Sequence, residues 1–266
     1  MLELACASIV AVWWLLRLPV EQDRRRLLLE GLAIATLAWL GEQTCITCYG
    51  FYTYAPGWQL MLGDVPLMVV LIWPVVVGSA RDLVRHLSGD EPTSLALGVG
   101  LLVLADAAFV EPAAVAAGLW RWHQPGLLEV PPVGILGWGA YAALIVHALE
   151  HGRRGDRKTK ALGLLLVVPG LHLALLGVWW LALRWLNFAI PSTLAPLVAW
   201  SLSILATVII VRRRVRLPLH VVLLRLPGAL FFAGLLAFAS PSSALVAWSA
   251  AFVPPWLALM VGAARR

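Results

Sequence analysis

The stretch that decides the fold runs from Asp64 to His86 and reads DVPLMVVLIWPVVVGSARDLVRH. It carries no charged side chain between Asp64 and Arg81, and a helix that crosses a bilayer core needs roughly 20 consecutive apolar residues. Similar runs fill most of the 266 residues, of which 61% are hydrophobic and only 13% are charged. Because a soluble domain carries about 25% charged residues, this composition argues against a soluble protein.

The apolar runs predict an all-α fold, a polytopic transmembrane helix bundle that forms a single integral membrane domain over residues 1–266. The first run has no basic residue before it, so we interpret it as a retained helix rather than a cleaved signal peptide. Nine spans are predicted, near residues 3–19, 27–43, 64–86, 94–111, 132–150, 161–185, 192–211, 217–239 and 242–262.

The basic residues between the runs predict the orientation. The net charge is +6, and the clusters lie in alternate connections, among them Arg24-Arg25-Arg26, residues 153–160 and residues 212–216. By the positive-inside rule, the N-terminus is outside and the C-terminus is cytoplasmic, in a multi-pass protein of the cell (inner) membrane. This distribution argues against nucleic-acid binding and favours contact with the headgroups of membrane lipids.

Two connections predicted to face outside are unusually aromatic. Residues 44–63 hold Tyr49, Tyr52, Tyr54 and Trp58, and residues 111–131 hold tryptophans within a proline-rich segment. One interpretation is a belt of aromatic side chains at the membrane–water interface. Their concentration in just these connections favours a second one, in which two ordered loops contact each other and cover the outer mouth of the bundle.

Acidic side chains within spans are costly and usually face the bundle interior, so each is a functional candidate. Glu30 lies close enough to the cytoplasmic surface to snorkel. Four others map to the outer half of the bundle, and they are Glu42, Asp64, Asp106 and Glu111. The structural alternatives are a buried pair with Arg121 or Arg184 for the deeper acids, and a helix cap for Asp64.

An acid followed by aromatic residues has a chemical use. A carboxyl group removed from water can stay protonated at neutral pH, and it can then donate a proton to a carbon–carbon double bond. Aromatic faces attract the carbocation that forms. If the second span stays helical past Glu42, Cys45, Tyr49 and Tyr52 follow on its face, although a merely packed helix would show the same pattern.

No metal site is expected. Cys45 and Cys48 have C-x-x-C spacing, but there is no second cysteine pair for a structural zinc site, and the six histidines are scattered.

Two blocks of sequence resemble a known family. The first contains Gly41-Glu42, residues 49–54, residues 62–67 and Trp73; the second contains Asp106, residues 111–115, Gly118-Leu119-Trp120-Arg121-Trp122 and Gly137-Trp138. Over about residues 39–140 they are similar to integral membrane carotenoid biosynthesis proteins. That family includes hydratases that act on acyclic carotenoids and, more distantly, small lycopene cyclases.

The resemblance implies a lipid-soluble substrate, a carotenoid or another isoprenoid, and protonation of its terminal double bond, followed by hydration or cyclisation. Such chemistry requires no cofactor. Glu42, Asp106 and Glu111 would be the catalytic residues, with Glu42 or Asp106 as the proton donor. The residues implied to bind the substrate are Tyr49, Tyr52, Tyr54, Asp64, Trp120 and Trp122.

Two other functions fit the same residues. In a non-enzymatic lipid or isoprenoid carrier, the intramembrane carboxylates would bind a polar headgroup or couple transport to protons. In a structural membrane subunit, they would only hold helices together.

Overall fold

The computed structural model describes residues 2–186, 191 and 194–264. Within these residues the chain forms nine helices, and the last seven are long and apolar enough to cross a membrane. The all-α membrane bundle is therefore found, while nine crossings and their orientation stay predictions. The helices are α1 Leu2–Arg17, α2 Arg24–Tyr49, α3 Leu67–Ser88, α4 Pro92–Ala116, α5 Pro132–Arg154, α6 Arg157–Leu183, α7 Ala195–Arg212, α8 Leu219–Phe238 and α9 Ser243–Ala264.

Helix α2 is longer than its predicted span and ends at Tyr49. Gly50 stops it, because this residue adopts the left-handed conformation (φ 59°) that glycine tolerates and donates its N–H back to the Ile46 carbonyl. Tyr52 consequently lies beyond the helix, not on its face. It belongs to a strand that follows the turn.

The two aromatic connections meet in a small antiparallel sheet. The strands in the described residues are β1 Tyr52–Tyr54, β2 Met61–Leu62, β3 Val65–Pro66 and β4 Trp120–Trp122, with β1 paired to β4 and β2 to β3. We call the β1–β4 pair the aromatic ribbon. Its register places Tyr52 opposite Trp122 and Tyr54 opposite Trp120, which confirms the expected contact between the two loops.

Side chains alternate across a strand, so the ribbon has two different faces. Thr53 and Arg121 point to the exposed face, whereas the aromatic side chains at the neighbouring positions turn toward the helices. The ribbon therefore closes one end of the bundle, which we call the ribbon end.

Helices α4 and α5 pack closely because a glycine of each helix lies at their interface. A Cβ atom added to Gly100 would lie 2.9 Å from the Gly139 carbonyl oxygen, and one added to Gly139 would lie 2.8 Å from that of Gly100. Real side chains do not fit at such distances, so the two backbones touch only because both residues lack a Cβ. This contact fixes α4, which carries Asp106 and Glu111, against α5.

Helices α8 and α9 are each interrupted. The break in α8 falls at residues 224–225 and the break in α9 at residues 251–252. In both cases a proline lies in the first turn of the second half, where its missing N–H is tolerated. The first break places Arg225 at an irregular position inside the bundle.

A network of ion pairs holds the helices together at the end opposite the ribbon. Glu30 accepts from Arg81 and Arg153, both at 2.9 Å, and Glu150 accepts from Arg85 at 2.8 Å. Glu30 is only 3% exposed. It is therefore buried inside the bundle, whereas the sequence predicts a side chain that reaches the cytoplasmic surface. The network joins α2, α3 and α5.

Candidate active site

Glu42 receives three hydrogen bonds from aromatic side chains of two different elements. The Tyr52 and Tyr54 hydroxyls of β1 donate to its Oε2, the latter at 2.8 Å, and Trp73 Nε1 of α3 donates to its Oε1 at 3.2 Å. Burial, together with the neighbouring Glu42 carboxylate, raises the pKa of both tyrosine hydroxyls well above the usual value. Both tyrosines therefore keep their protons and act as donors.

Glu111 is held in the same way from the other strand of the ribbon. Trp120 and Trp122 of β4 donate their Nε1–H groups to its Oε2 at 2.9 and 3.0 Å, and Trp138 of α5 donates to its Oε1 at 2.7 Å. Its side chain is almost completely enclosed. Each carboxyl group is thus fixed by three donors, none of which carries a charge.

The aromatic donors of the two acids also contact one another. The rings of Tyr52 and Trp122 lie 4.7 Å apart, and those of Tyr54 and Trp120 lie 5.8 Å apart. These are the cross-strand pairs of the ribbon, so each joins a donor of Glu42 to a donor of Glu111. The remaining two donors pair in the same manner, with 4.8 Å between the rings of Trp73 and Trp138.

Trp73 and Trp138 were not assigned to the site from the sequence. Both lie within the two blocks that resemble the family, and this resemblance is the one sequence feature that could have pointed to them as site residues. Their role depends on side-chain direction within α3 and α5, which spacing along the chain does not show.

Glu42, Asp106 and Glu111 all line one cavity of about 1250 Å³, as expected for a shared site. Its other walls are mainly apolar and aromatic. The lining on α3 runs from Met68 to Leu87, which corresponds to about 28 Å at 1.5 Å per residue, close to the roughly 30 Å of a bilayer core. The volume exceeds the range of about 300–1,000 Å³ typical of small-molecule pockets. The cavity therefore suits a long apolar molecule.

Asp106 forms an ion pair with Arg225 of α8. The two residues considered from the sequence lie elsewhere: Arg121 is on the exposed face of the ribbon, and the Arg184 guanidinium lies 4.2 Å from the Trp180 ring centre. Asp106 and Arg225 are 119 positions apart, and nothing in the sequence pattern indicates their pairing.

Two residues expected to bind substrate lie outside the cavity lining. Asp64 is exposed and exchanges hydrogen bonds with the Gln43 side chain, at 2.7 Å through its carboxylate and 2.8 Å through its N–H. It ties the loop to α2, and it does not cap α3, whose N-cap residue is Pro66. Tyr49 packs against Phe51 instead, because α2 ends at that point. Tyr52, Tyr54, Trp120 and Trp122 do line the cavity.

Within the described part of the chain, no group of three or more histidine, cysteine, aspartate or glutamate side chains could hold a metal ion. The Cys45 and Cys48 thiols are free.

A family model described as "Carotenoid biosynthesis protein" matches residues 1–202. The matched region contains α1–α6, the aromatic ribbon and all three acids of the cavity, whereas α8 and α9 lie beyond it. Comparisons with curated proteins and with solved structures gave no match. The family match covers most of the chain and agrees with the two sequence blocks. The chain belongs to the carotenoid biosynthesis protein family.

Proposed function

We propose that the chain is a membrane enzyme that protonates a terminal double bond of a long polyene, which leads to hydration or cyclisation. Its family gives it a role in carotenoid metabolism. The observation that carries the proposal is the pair of glutamates facing an apolar cavity, each held only by uncharged donors. A carrier or a structural subunit needs no such arrangement of proton-bearing groups around a cavity this long.

Glu42 and Glu111 are the proposed proton donors. A carboxylate has about four positions that can accept a hydrogen, and three are filled in each glutamate. One position is left for the proton that is given to the substrate. Asp106 is a poorer candidate, because it forms an ion pair and a carboxylate in an ion pair has no proton to give.

The aromatic donors have a second role in this reaction. Proton transfer to one carbon of the double bond leaves a carbocation on the other, and the electron-rich faces of Tyr52, Trp122 and Trp73 attract positive charge. In hydration, water then adds to the cation and its extra proton returns to a carboxylate. In cyclisation, another double bond of the substrate attacks the cation, and the proton released from the ring carbon returns to a carboxylate.

We also propose that all nine helices form one integral domain of the inner membrane, with the N-terminus and the aromatic ribbon outside. The alternating basic clusters support this orientation. A cysteine introduced at Arg157 should then react with an impermeant reagent only from the cytoplasmic side. Reaction exclusively from the external side would reverse the orientation.

Pigment extraction tests the enzymatic function. Cells that make an acyclic carotenoid are grown with and without the chain, and the pigments are separated and analysed by mass spectrometry. A new hydroxylated or cyclised product is expected with the native chain and with the control Glu129→Gln, which alters an exposed carboxylate. Chemically unchanged pigments with an altered distribution between membranes would instead indicate a carrier.

A further inference from the structure

A second polar cluster lies inside the mainly apolar cavity, apart from the two glutamates. Arg225 pairs with Asp106 through Nη2 and donates through Nη1 to the Ser79 hydroxyl at 3.0 Å. The Arg225 side chain is 7% exposed, and its buried Nε–H has no hydrogen-bond partner among the described residues. All three residues line the cavity. A buried donor without an acceptor is costly, so this N–H indicates a group that binds there.

The cluster lies part of the way along the cavity. Ser79 follows Trp73, a donor to Glu42, by six residues on α3, and Asp106 precedes Glu111 by five residues on α4. At 1.5 Å per residue these spacings correspond to about 9 Å and about 8 Å, measured away from the ribbon end. The cavity continues beyond the cluster to Leu87. A polyene with its terminal double bond at the glutamates would therefore pass this cluster.

The charges of the cluster limit what it can bind. Arg225 and Asp106 neutralise each other, so the site has no net charge for an anion or a cation. What remains in the cluster is one unused donor, the Arg225 Nε–H. Elsewhere in the cavity lining, the buried hydroxyls of Ser203 and Ser249 also have no partner among the described residues. The Arg225 donor matches a neutral oxygen atom, which accepts hydrogen bonds through its lone pairs.

The residues of the cluster come from two parts of the chain. Asp106 and Ser79 lie within the region matched by the family model, whereas Arg225 follows residue 202, where that match ends. The two glutamates and their donors all lie within the matched region. The wall formed by α7–α9 thus adds a feature of its own to the cavity, at a distance from the proposed proton donors.

We propose that Arg225, positioned by Asp106 and Ser79, binds a neutral oxygen function of the substrate, a hydroxyl or a carbonyl. This oxygen lies about 8–9 Å along the molecule from the double bond that the glutamates protonate. The substrate class is therefore a polyene that already carries oxygen, not a pure hydrocarbon. The identity of the protonated bond rests on the proposed function, but the preference for oxygen can be measured without turnover.

The test compares two ligands of the same polyene chain, retinol and the corresponding hydrocarbon without the hydroxyl. The full chain is purified into lipid nanodiscs, and binding is followed by quenching of tryptophan fluorescence, since several tryptophans line the cavity. The native chain should bind the alcohol roughly tenfold more tightly, as expected for one hydrogen bond to a charged group. Equal affinities, the result expected if only water occupies the position, would overturn the proposal.

Two variants test whether the preference for the alcohol depends on Arg225. Replacing Arg225 alone would leave Asp106 as an unpaired charge inside the bundle, so the pair is replaced together by Arg225→Met with Asp106→Leu. This double variant should bind the hydrocarbon as the native chain does and lose the preference for the alcohol. The control Ser201→Ala, on an exposed part of α7, should leave the preference unchanged. A preference that survives the double variant would refute the assignment to Arg225.

The outcome is separable from that of the proposed function. If the alcohol is preferred but no pigment is ever converted, the subsite stands and the enzymatic proposal fails. If pigment is converted while the two ligands bind equally, the enzymatic proposal stands and the proposed oxygen-binding subsite fails.

Discussion

Two pairs of glutamates lie within this bundle, one at each end, and they differ in their partners. Glu42 and Glu111 at the ribbon end accept hydrogen bonds only from tyrosine and tryptophan. Glu30 and Glu150 at the opposite end accept from arginines. Burial does not explain this difference, because Glu111 and Glu30 are both 3% exposed, while Glu42 is half-buried.

Under the proposed function, the chemistry of the partners, more than burial, distinguishes the acids that donate a proton from those that do not. Arginine provides a permanent opposite charge, so Glu30 and Glu150 form ion pairs that join helices. Phenol and indole groups fix the orientation of a carboxyl group without neutralising it. The proposal therefore assigns catalysis to the ribbon end and a structural role to the opposite end.

The largest expected effect is on catalysis, from Glu42→Gln. Product formation per folded protein should fall about 10²- to 10⁴-fold, the usual contribution of a general acid. The fold should survive, because the tyrosine hydroxyls that donate to Glu42 can also accept from the new amide. Product yield is measured beside that of Glu129→Gln, the exposed control. Near-native yield from Glu42→Gln would refute the proposal that the glutamates at the ribbon end act in catalysis.

Glu111→Gln should lose activity to a similar extent but should also lose stability. Its three partners are indole N–H groups, which cannot accept a hydrogen bond from the amide nitrogen. Thermal unfolding in detergent should therefore show a lower midpoint than for Glu42→Gln. A higher midpoint for Glu111→Gln would contradict this account of the donors.

At the opposite end, Glu30→Gln should affect stability rather than chemistry. Removing one partner of a buried ion pair typically costs about 3–5 kcal/mol, because the remaining charge is left without compensation. Here Arg81, with a side chain only 6% exposed, would lose its pair with Glu30 at 2.9 Å and keep only the longer pair with Glu150 at 3.7 Å, so the cost should lie toward the lower end of this range. Unfolding and activity are measured on the same preparation. Loss of activity in a fully stable Glu30→Gln protein would show that this end also takes part in the reaction.

A smaller effect is expected from Tyr54→Phe. Glu42 would lose the donor at 2.8 Å and keep two others, for a cost of about 1 kcal/mol in the free energy of unfolding. Tyr49→Phe is the matched control, because Tyr49 lies outside the cavity lining. Equal effects of the two changes on stability and activity would argue against a special role for the ribbon tyrosines.

Much of the fold could be predicted, because an apolar run of about 20 residues indicates a helix that can cross a membrane, although α2 extends beyond its predicted span. The contact between the aromatic loops and the shared cavity of the acids also followed from their composition and from the cost of charge in a membrane. The positions of Tyr49 and Asp64 could not be predicted from the sequence. They depend on where Gly50 ends α2 and on the hydrogen bonds between Gln43 and Asp64. Glu30 pairs with Arg26 of its own helix, but its other partners and the partner of Asp106 come from distant helices, and only tertiary packing selects them.

Deuterium transfer tests the central claim most directly. Membranes that contain the chain are supplied with an acyclic carotenoid in D₂O, and the product is analysed by mass spectrometry after exchange of its hydroxyl protons. Protonation of the double bond by a carboxyl group predicts one carbon-bound deuterium for each converted end of the molecule, and about 10²- to 10⁴-fold less of this product from Glu42→Gln. A hydrated or cyclised product without carbon-bound deuterium would contradict the account.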